Sequence, residues 1–80
     1  MSDEPQPVSQ LDLRGLLCPM PVVKVSQGIK QIALGEAIEA YASDPGVVAD
    51  IPAWCTATGN ELIKMEKSDK GFRFLVRRLK

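Results

Sequence analysis

Between Leu11 and Ile32 the spacing of apolar side chains changes once, from every second residue to every third or fourth, and that change fixes the order of the first two elements. Leu11 and Leu13 alternate with Gln10, Asp12 and Arg14, the pattern of a strand with one buried face, and Gly15 closes it. From Pro19 to about Ala33, Val22, Val25, Ile29 and Ile32 recur at helical spacing with Lys24, Gln27, Lys30 and Gln31 between them, and Gly35 is placed to end the element. Valines and the mid-helix Gly28 are poor intrinsic helix formers, so packing against a sheet has to hold this helix. "EAIEAYAS" then returns to alternation, with Ile38, Ala40 and Ala42 against Glu39 and Tyr41. Strand, helix and strand in that order imply a parallel pair with a right-handed crossover.

"SDPG" supplies Asp44 as a capping side chain and Pro45 at a first helical position, opening a second helix through about Thr58 with Val47, Val48, Ile51, Cys55 and Thr58 on its inner face. Pro52 removes one hydrogen bond and disfavours a helical Ile51, so a kink or tightened turn is expected there. "ELIKMEK", "SDKG" and "FRFLVRRL" form two alternating runs around a glycine-containing turn, a β-hairpin pattern. The expected fold is therefore α/β (α+β), a two-layer sandwich of order β-α-β-α-β-β with a four-stranded mixed sheet and two helices packed on one face. The other face would carry some of Asp12, Arg14, Glu39, Lys64, Glu66, Arg73 and Arg77. Residues 1–9 are expected to be a flexible tail and 10–80 the single domain.

The chain has 80 residues, too few for a second domain, and its 45% apolar and 25% charged shares match ordinary globular domains. Ten basic and ten acidic side chains cancel. Binding driven by overall charge is thus not expected, and direct nucleic-acid binding is not the first choice. The acids and prolines of "MSDEPQPVSQ" are not those of a signal peptide, and no apolar run is long enough to span a bilayer. A cytoplasmic protein with no membrane contact is expected. With two cysteines and no histidine, neither a zinc site nor a Cys–His pair is visible, and in a reducing compartment both cysteines are expected as free thiols. No metal or cofactor is expected.

In "RGLLCPMPVVKV", Cys18 stands directly before Pro19 and Pro21. Proline is best tolerated in the first helical turn, where N–H groups lack intrahelical acceptors, so both prolines shape a helix start. Cys18 at or beside the cap would meet unpaired N–H groups, such as those of Met20 and Val22, and the aligned peptide dipoles. That location favours a thiolate and lowers the thiol pKa below its free value of about 8.5. Lys24 and Arg14 would add positive field if their side chains reach. The competing reading makes Cys18 a small buried hydrophobe. Cys55, four residues after Ile51, is expected in the core, and Trp54 beside it as a partly exposed packing residue. Arg73, Arg77, Arg78 and Lys80 either meet phosphate or an acidic partner or form a solvated edge that discourages aggregation.

"LDLRGLLCPMPVVKV" resembles the Cys-Pro-x-Pro segment of the TusA (SirA-like) family of small sulfur carriers, and "GEAIEAYASDPG", "DIPAWCTATGNEL" and "FRFLVRR" extend the resemblance over residues 10 to 79. The resemblance implies that Cys18 carries sulfur as a persulfide, with Pro19 and Pro21 as shaping residues. It implies a cysteine desulfurase or other donor protein that loads the sulfur. It also implies a downstream acceptor protein, in thiolation of the tRNA wobble uridine, in sulfur oxidation or in molybdenum-cofactor maturation. Such a transfer needs only thiolate attack on a persulfide and no acid–base apparatus, so independent turnover is not expected. Arg14, Lys24, Arg77 and Arg78 are the candidate partner-binding residues, and a monomer is expected. Two other readings are a non-catalytic module binding protein or RNA through the open sheet face and the C-terminal arginines, and a Cys18–Cys55 redox switch.

Overall fold

In a computed structural model of the chain, which describes residues 5–69 and 71–80, six elements follow one another: β1 (Ser9–Leu13), α1 (Met20–Ile29), β2 (Ala37–Ala42), α2 (Val47–Thr58), β3 (Glu61–Ser68) and β4 (Gly71–Arg77). The expected α+β sandwich is the observed fold, a four-stranded mixed sheet with two helices. Residues 1–4 of the expected tail lie outside the described residues. At its other end Ser9 already belongs to β1, and the Val8 N–H donates to the Ala37 carbonyl at 2.9 Å.

The spatial order is β1-β2-β4-β3. β1 and β2 are parallel, Ser9 opposite Ile38 and Leu13 opposite Ala42, as expected of strands joined by a helix. β4 runs antiparallel to both β2 and β3 and lies between them. The hairpin strand thus fills the gap that the β2–α2–β3 crossover leaves open. Opposite Val76 and Leu75 the pairing of β3 slips between Leu62 and Lys64, a bulge that makes Ile63 the extra residue.

Both helices cover one face of the sheet. Val25, Ile29 and Ile32 from the first helical segment and Val47, Ile51 and Cys55 from α2 pack with Leu13, Ile38, Ala40, Ala42, Phe74 and Val76 in one core. Gly28 has a packing reason: a Cβ there would stand 3.2 Å from Leu11 Cδ1 and 3.4 Å from Ile38 Cδ1, so α1 approaches the sheet closely where it lacks a side chain. α1 ends at Ile29 instead of near Ala33. Gln31 N–H bonds the Gly28 carbonyl, and Glu36 ties down Ala33, its Oε1 accepting the Ala33 N–H and its own N–H donating to the Ala33 carbonyl. These local bonds compete with helix continuation, yet Ile32 still reaches the core.

α2 departs from expectation in three places. Pro45 lies in a turn before the helix, and the cap is Gly46, not Asp44. The helix runs through Pro52 to Thr58 with Ile51 helical and fully buried; the short three-residue bonds occur in its first turn, from Val47, Val48 and Ala49 to the carbonyls of Asp44, Pro45 and Gly46. Val48 is 47% exposed and Thr58 is exposed, so the inner face is the narrower stripe Val47, Ile51 and Cys55. Thr58 instead turns its hydroxyl back to the Trp54 carbonyl. Half-buried Trp54 packs on the core as expected.

On the far face of the sheet an ionic layer replaces a second layer of helices. Glu39 is buried and accepts from Gln10 Nε2 at 2.7 Å and from Arg73 Nε, while Arg73 Nη1 reaches Glu66 at 2.9 Å and Arg77 Nη1 reaches Glu61 at 3.2 Å. Leu75, paired between Glu39 and Lys64, is fully buried in their midst. A buried carboxylate with both oxygens engaged is tolerable where an unpaired one is not.

Gly71 is the tightest point of the fold. Its φ is +154°, and a Cβ would stand 2.1 Å from the Ala42 carbonyl oxygen and 2.9 Å from Ser43 Cα. Backbone cannot yield as a side-chain tip can. Gly71→Ala is therefore expected to lower unfolding stability by more than about 2 kcal/mol, read from the shift in urea midpoint, a large part of the margin of a domain this small. A midpoint within experimental error of wild type would disprove the close approach.

Candidate functional site

Because β1 and β2 are parallel neighbours, both chain segments that follow them leave the sheet at the same edge, where the carboxyl ends of strands build sites in α/β folds. The two loops are laced together. Gly15 sits at φ +87° in a turn closed by the Leu16 N–H to the Leu13 carbonyl, and its own N–H donates to Ser43 Oγ at 2.8 Å. Asp44 bridges onward, Oδ1 accepting from the Gly46 N–H at 3.1 Å and Oδ2 from the Cys18 N–H at 2.7 Å. Asp44 therefore does more than open α2: it clamps the backbone of Cys18. Gly71, pressed against Ala42 and Ser43, backs this loop from the hairpin side.

Cys18 is exposed and directly precedes Pro19, the N-cap of α1; the Cys18–Pro19 peptide bond is cis, and Pro21 lies in the first helical turn. The buried-hydrophobe reading is thereby excluded. The expected electrostatics are reversed. The Met20 N–H is taken by the Leu17 carbonyl at 2.8 Å and Pro21 has no N–H, so one of the two donors expected to face the sulfur is already engaged. Instead the thiol donates to Asp50 Oδ2 at 2.7 Å. That hydrogen bond, then desolvation, then the charges of Asp50 and Asp44, push the Cys18 pKa up from the ordinary thiol value, where a lowered one was expected.

The expected sources of positive field do not act on Cys18. Arg14 is bound to Asp12 through Nε at 2.8 Å and Nη2 at 3.0 Å, a contact that holds the Asp12 carboxyl down to about 2. Lys24 lines a groove of about 340 Å³ between α1 and β1 together with Leu11, Gly28 and Gln31. Arg77 and Arg78 stand at the opposite end of the sheet, Arg77 paired with Ala37 at the start of β2 and Arg78 donating to the Ile32 carbonyl at 2.6 Å and the Lys80 carbonyl at 3.0 Å. Pro19 is exposed, whereas Pro21 is fully buried and thus a core residue besides shaping the turn. Cys55 is a free, buried thiol whose burial pushes its pKa up to about 11. Around Cys18 the chain exposes Leu17 (73%), Met20 and Val23.

The residues missed are Asp44 as a clamp and Asp50 as the partner of the thiol. The signal was present in topology: parallel neighbouring strands start their following helices side by side, so an acid in the first turn of α2 falls beside the residue that opens α1. Among the described residues no group of three or more His, Cys, Asp or Glu side chains is placed to hold a metal ion, and no helix is long and apolar enough to cross a membrane.

A family model described as "Sulfurtransferase TusA" matches residues 9–78. The "Sulfur carrier protein TusA" of Allochromatium vinosum is 33% identical over 69 residues, covering 86% of this chain and 91% of that protein. A protein of Archaeoglobus fulgidus named "Putative sulfur carrier protein" is 36% identical over 70 residues, covering 88% of this chain and 96% of its own. A Bacillus subtilis protein of the same description, YrkF, is 40% identical over 68 residues; the match covers 85% of this chain but 37% of that longer relative.

Asp44 is held ionised by the Gly46 N–H first and the Cys18 N–H second, which lowers its pKa. A carboxyl depressed in the folded state contributes stability that is fully present above its unfolded pKa and is lost as pH falls through the folded value. In an acid titration followed by NMR, the Cys18 and Gly46 amide protons are expected to move together with a midpoint below that of an unstructured aspartate. Asp44→Asn should abolish that transition. A Cys18 amide unresponsive to acid in the wild type would remove the clamp.

Proposed function

This chain belongs to the TusA family, and on that premise we propose that it is a sulfur carrier in which Cys18 holds the transferred sulfur as a persulfide. The observation that carries the reading is an exposed thiol on a turn fixed from three sides: Asp44 on its own N–H, Pro19 behind it, and buried Pro21 anchoring the helix start. A sulfur that has to enter a partner's site gains from standing on a stiff projection instead of in a pocket. The exposed Leu17, Met20 and Val23 give a protein partner apolar surface beside it.

Loading conserves atoms and electrons. The Cys18 thiolate attacks the outer sulfur of a donor persulfide, an S–S bond forms at Cys18 as the donor's S–S bond breaks, and the electron pair leaves on the donor thiolate. The proton lost by Cys18 is balanced by the one the donor thiolate takes up, so nothing is oxidised overall. Unloading repeats the step with an acceptor thiolate. The donor assigned by this reading is a cysteine desulfurase or an equivalent persulfide protein. The destination is 2-thiouridine formation in tRNA through an acceptor protein, in the cytoplasm, and the support for these finer assignments is the family resemblance. The reading of the chain as a protein- or RNA-binding module gains nothing from the arginines it relied on, since Arg73, Arg77 and Arg78 bond to groups of the chain itself.

Incubation with a cysteine desulfurase and cysteine is expected to add the mass of one sulfur atom to the wild type and nothing to Cys18→Ser, followed by intact-protein mass spectrometry without reductant. Sulfur appearing on Cys55 of the Cys18→Ser protein would transfer the role to the second cysteine, and an unmodified wild type would end the carrier reading.

A further inference from the structure

We propose that Asp50 is a proton lock on Cys18: by accepting the S–H bond it keeps the sulfur in its unreactive thiol form in the free protein, so that loading requires this contact to be broken or neutralised. The inference rests on the carrier reading and concerns the regulation of its site.

The geometry that carries it is the 2.7 Å approach of Cys18 Sγ to Asp50 Oδ2 across two elements far apart in sequence. The carboxylate is not there by chance of a flexible surface chain. Asp50 lies in the first turn of α2, its N–H bonded to the Gly46 carbonyl, and its Oδ2 lies 3.6 Å from where a Gly46 Cβ would stand. A carboxylate held at this place both accepts the thiol proton and repels a thiolate. Asp44, in the loop before α2, adds a second negative charge on the same side. On the segment that carries Cys18 the nearest cation in sequence, Arg14, is engaged with Asp12, and Lys24 on α1 lines the α1–β1 groove. The two acids therefore set the local field.

The lock has a chemical use in a carrier. Only the thiolate attacks a persulfide, and only the thiolate is readily oxidised, so a sulfur kept protonated between encounters is protected from both side reactions. When the sulfur is loaded, Sγ bears the outer sulfur in place of hydrogen and can no longer donate to Asp50. The contact that held the empty carrier is absent from the full one.

The test is the pH profile of Cys18 alkylation by iodoacetamide, with the modified residue assigned by peptide mass spectrometry and folding checked by circular dichroism. In the wild type the inflection should lie above that of a free thiol. In Asp50→Asn it should fall, and the rate at pH 7 should rise about three-fold to ten-fold, since each unit of pKa is about a tenfold change in thiolate. Asp50→Ala should act in the same direction, which serves if the asparagine variant does not fold. A wild-type inflection below the free-thiol value, or variants that react no faster than wild type, would overturn the lock. Desulfurase loading of the same wild-type sample separates the two readings: sulfur on Cys18 with an unchanged variant profile sinks the lock alone, whereas a shifted profile with no sulfur acquired sinks the carrier.

Discussion

The parallel pairing of β1 with β2 is the constraint on which the rest of the molecule depends. It fixes the register from Ser9–Ile38 to Leu13–Ala42, and it brings the exit of both strands to one edge. Once there, the two loops have few alternatives: Gly15 bonds Ser43, Cys18 bonds Asp44, and the starts of α1 and α2 lie within reach of a single side-chain contact, Cys18 to Asp50. The hairpin strengthens the same edge. β4, inserted between β2 and β3, presses Gly71 onto Ala42 and Ser43, so the loop bearing Asp44 has backbone against backbone behind it.

A division of labour between the two faces of the sheet explains how a small chain supports an exposed thiol. The helix-covered face supplies the apolar core, with Phe74, Ile38, Ile51, Val25 and Val76 fully buried. At about 1.5–3 kcal/mol for each large apolar side chain removed from water, this face carries most of the favourable energy. The opposite face is closed by side chains instead of a third layer, Glu39 being satisfied by Gln10 and Arg73 while Leu75 stays buried between its neighbours. The edge at the carboxyl ends of β1 and β2 is left as the part of the surface where loop backbone is organised around one sulfur.

Much of this was legible in the amino-acid order, and the failures have physical causes. Alternation at Leu11–Leu13 and Ile38–Ala42 and helical spacing at Val25, Ile29 and Ile32 identified the elements because burial on one face leaves a period. The hairpin was equally plain. The position of β4 between β2 and β3 was not, since strand order is set by long-range packing and leaves no periodic trace. Val48 and Thr58 were assigned inward because each continues an apolar spacing, but a helix on a two-layer fold buries only a narrow stripe. Gly28 read as a weak point in a helix, and its reason, the nearness of Leu11 and Ile38, exists only in three dimensions. Cys18 was found by its prolines. Its electrical setting was misread because a helix start was considered alone, without the neighbouring helix that the parallel strands place beside it.

The dipole effect of a helix terminus on a charge is modest, about 0.3–1 kcal/mol at an exposed position, and it acts through N–H groups that are free to point at the anion. Here one of the two N–H groups expected to face the sulfur is engaged, Met20 giving its hydrogen to Leu17, and Pro21 has none to give. A carboxylate in direct contact with the thiol acts at hydrogen-bond range, as Asp50 does here. The direct S–H contact therefore outweighs the weak field of the helix start that carries Cys18. The prolines of the Cys-Pro-x-Pro segment then make sense as stiffness without acidity. They set the sulfur on a firm projection while contributing no N–H donors to the start of its helix.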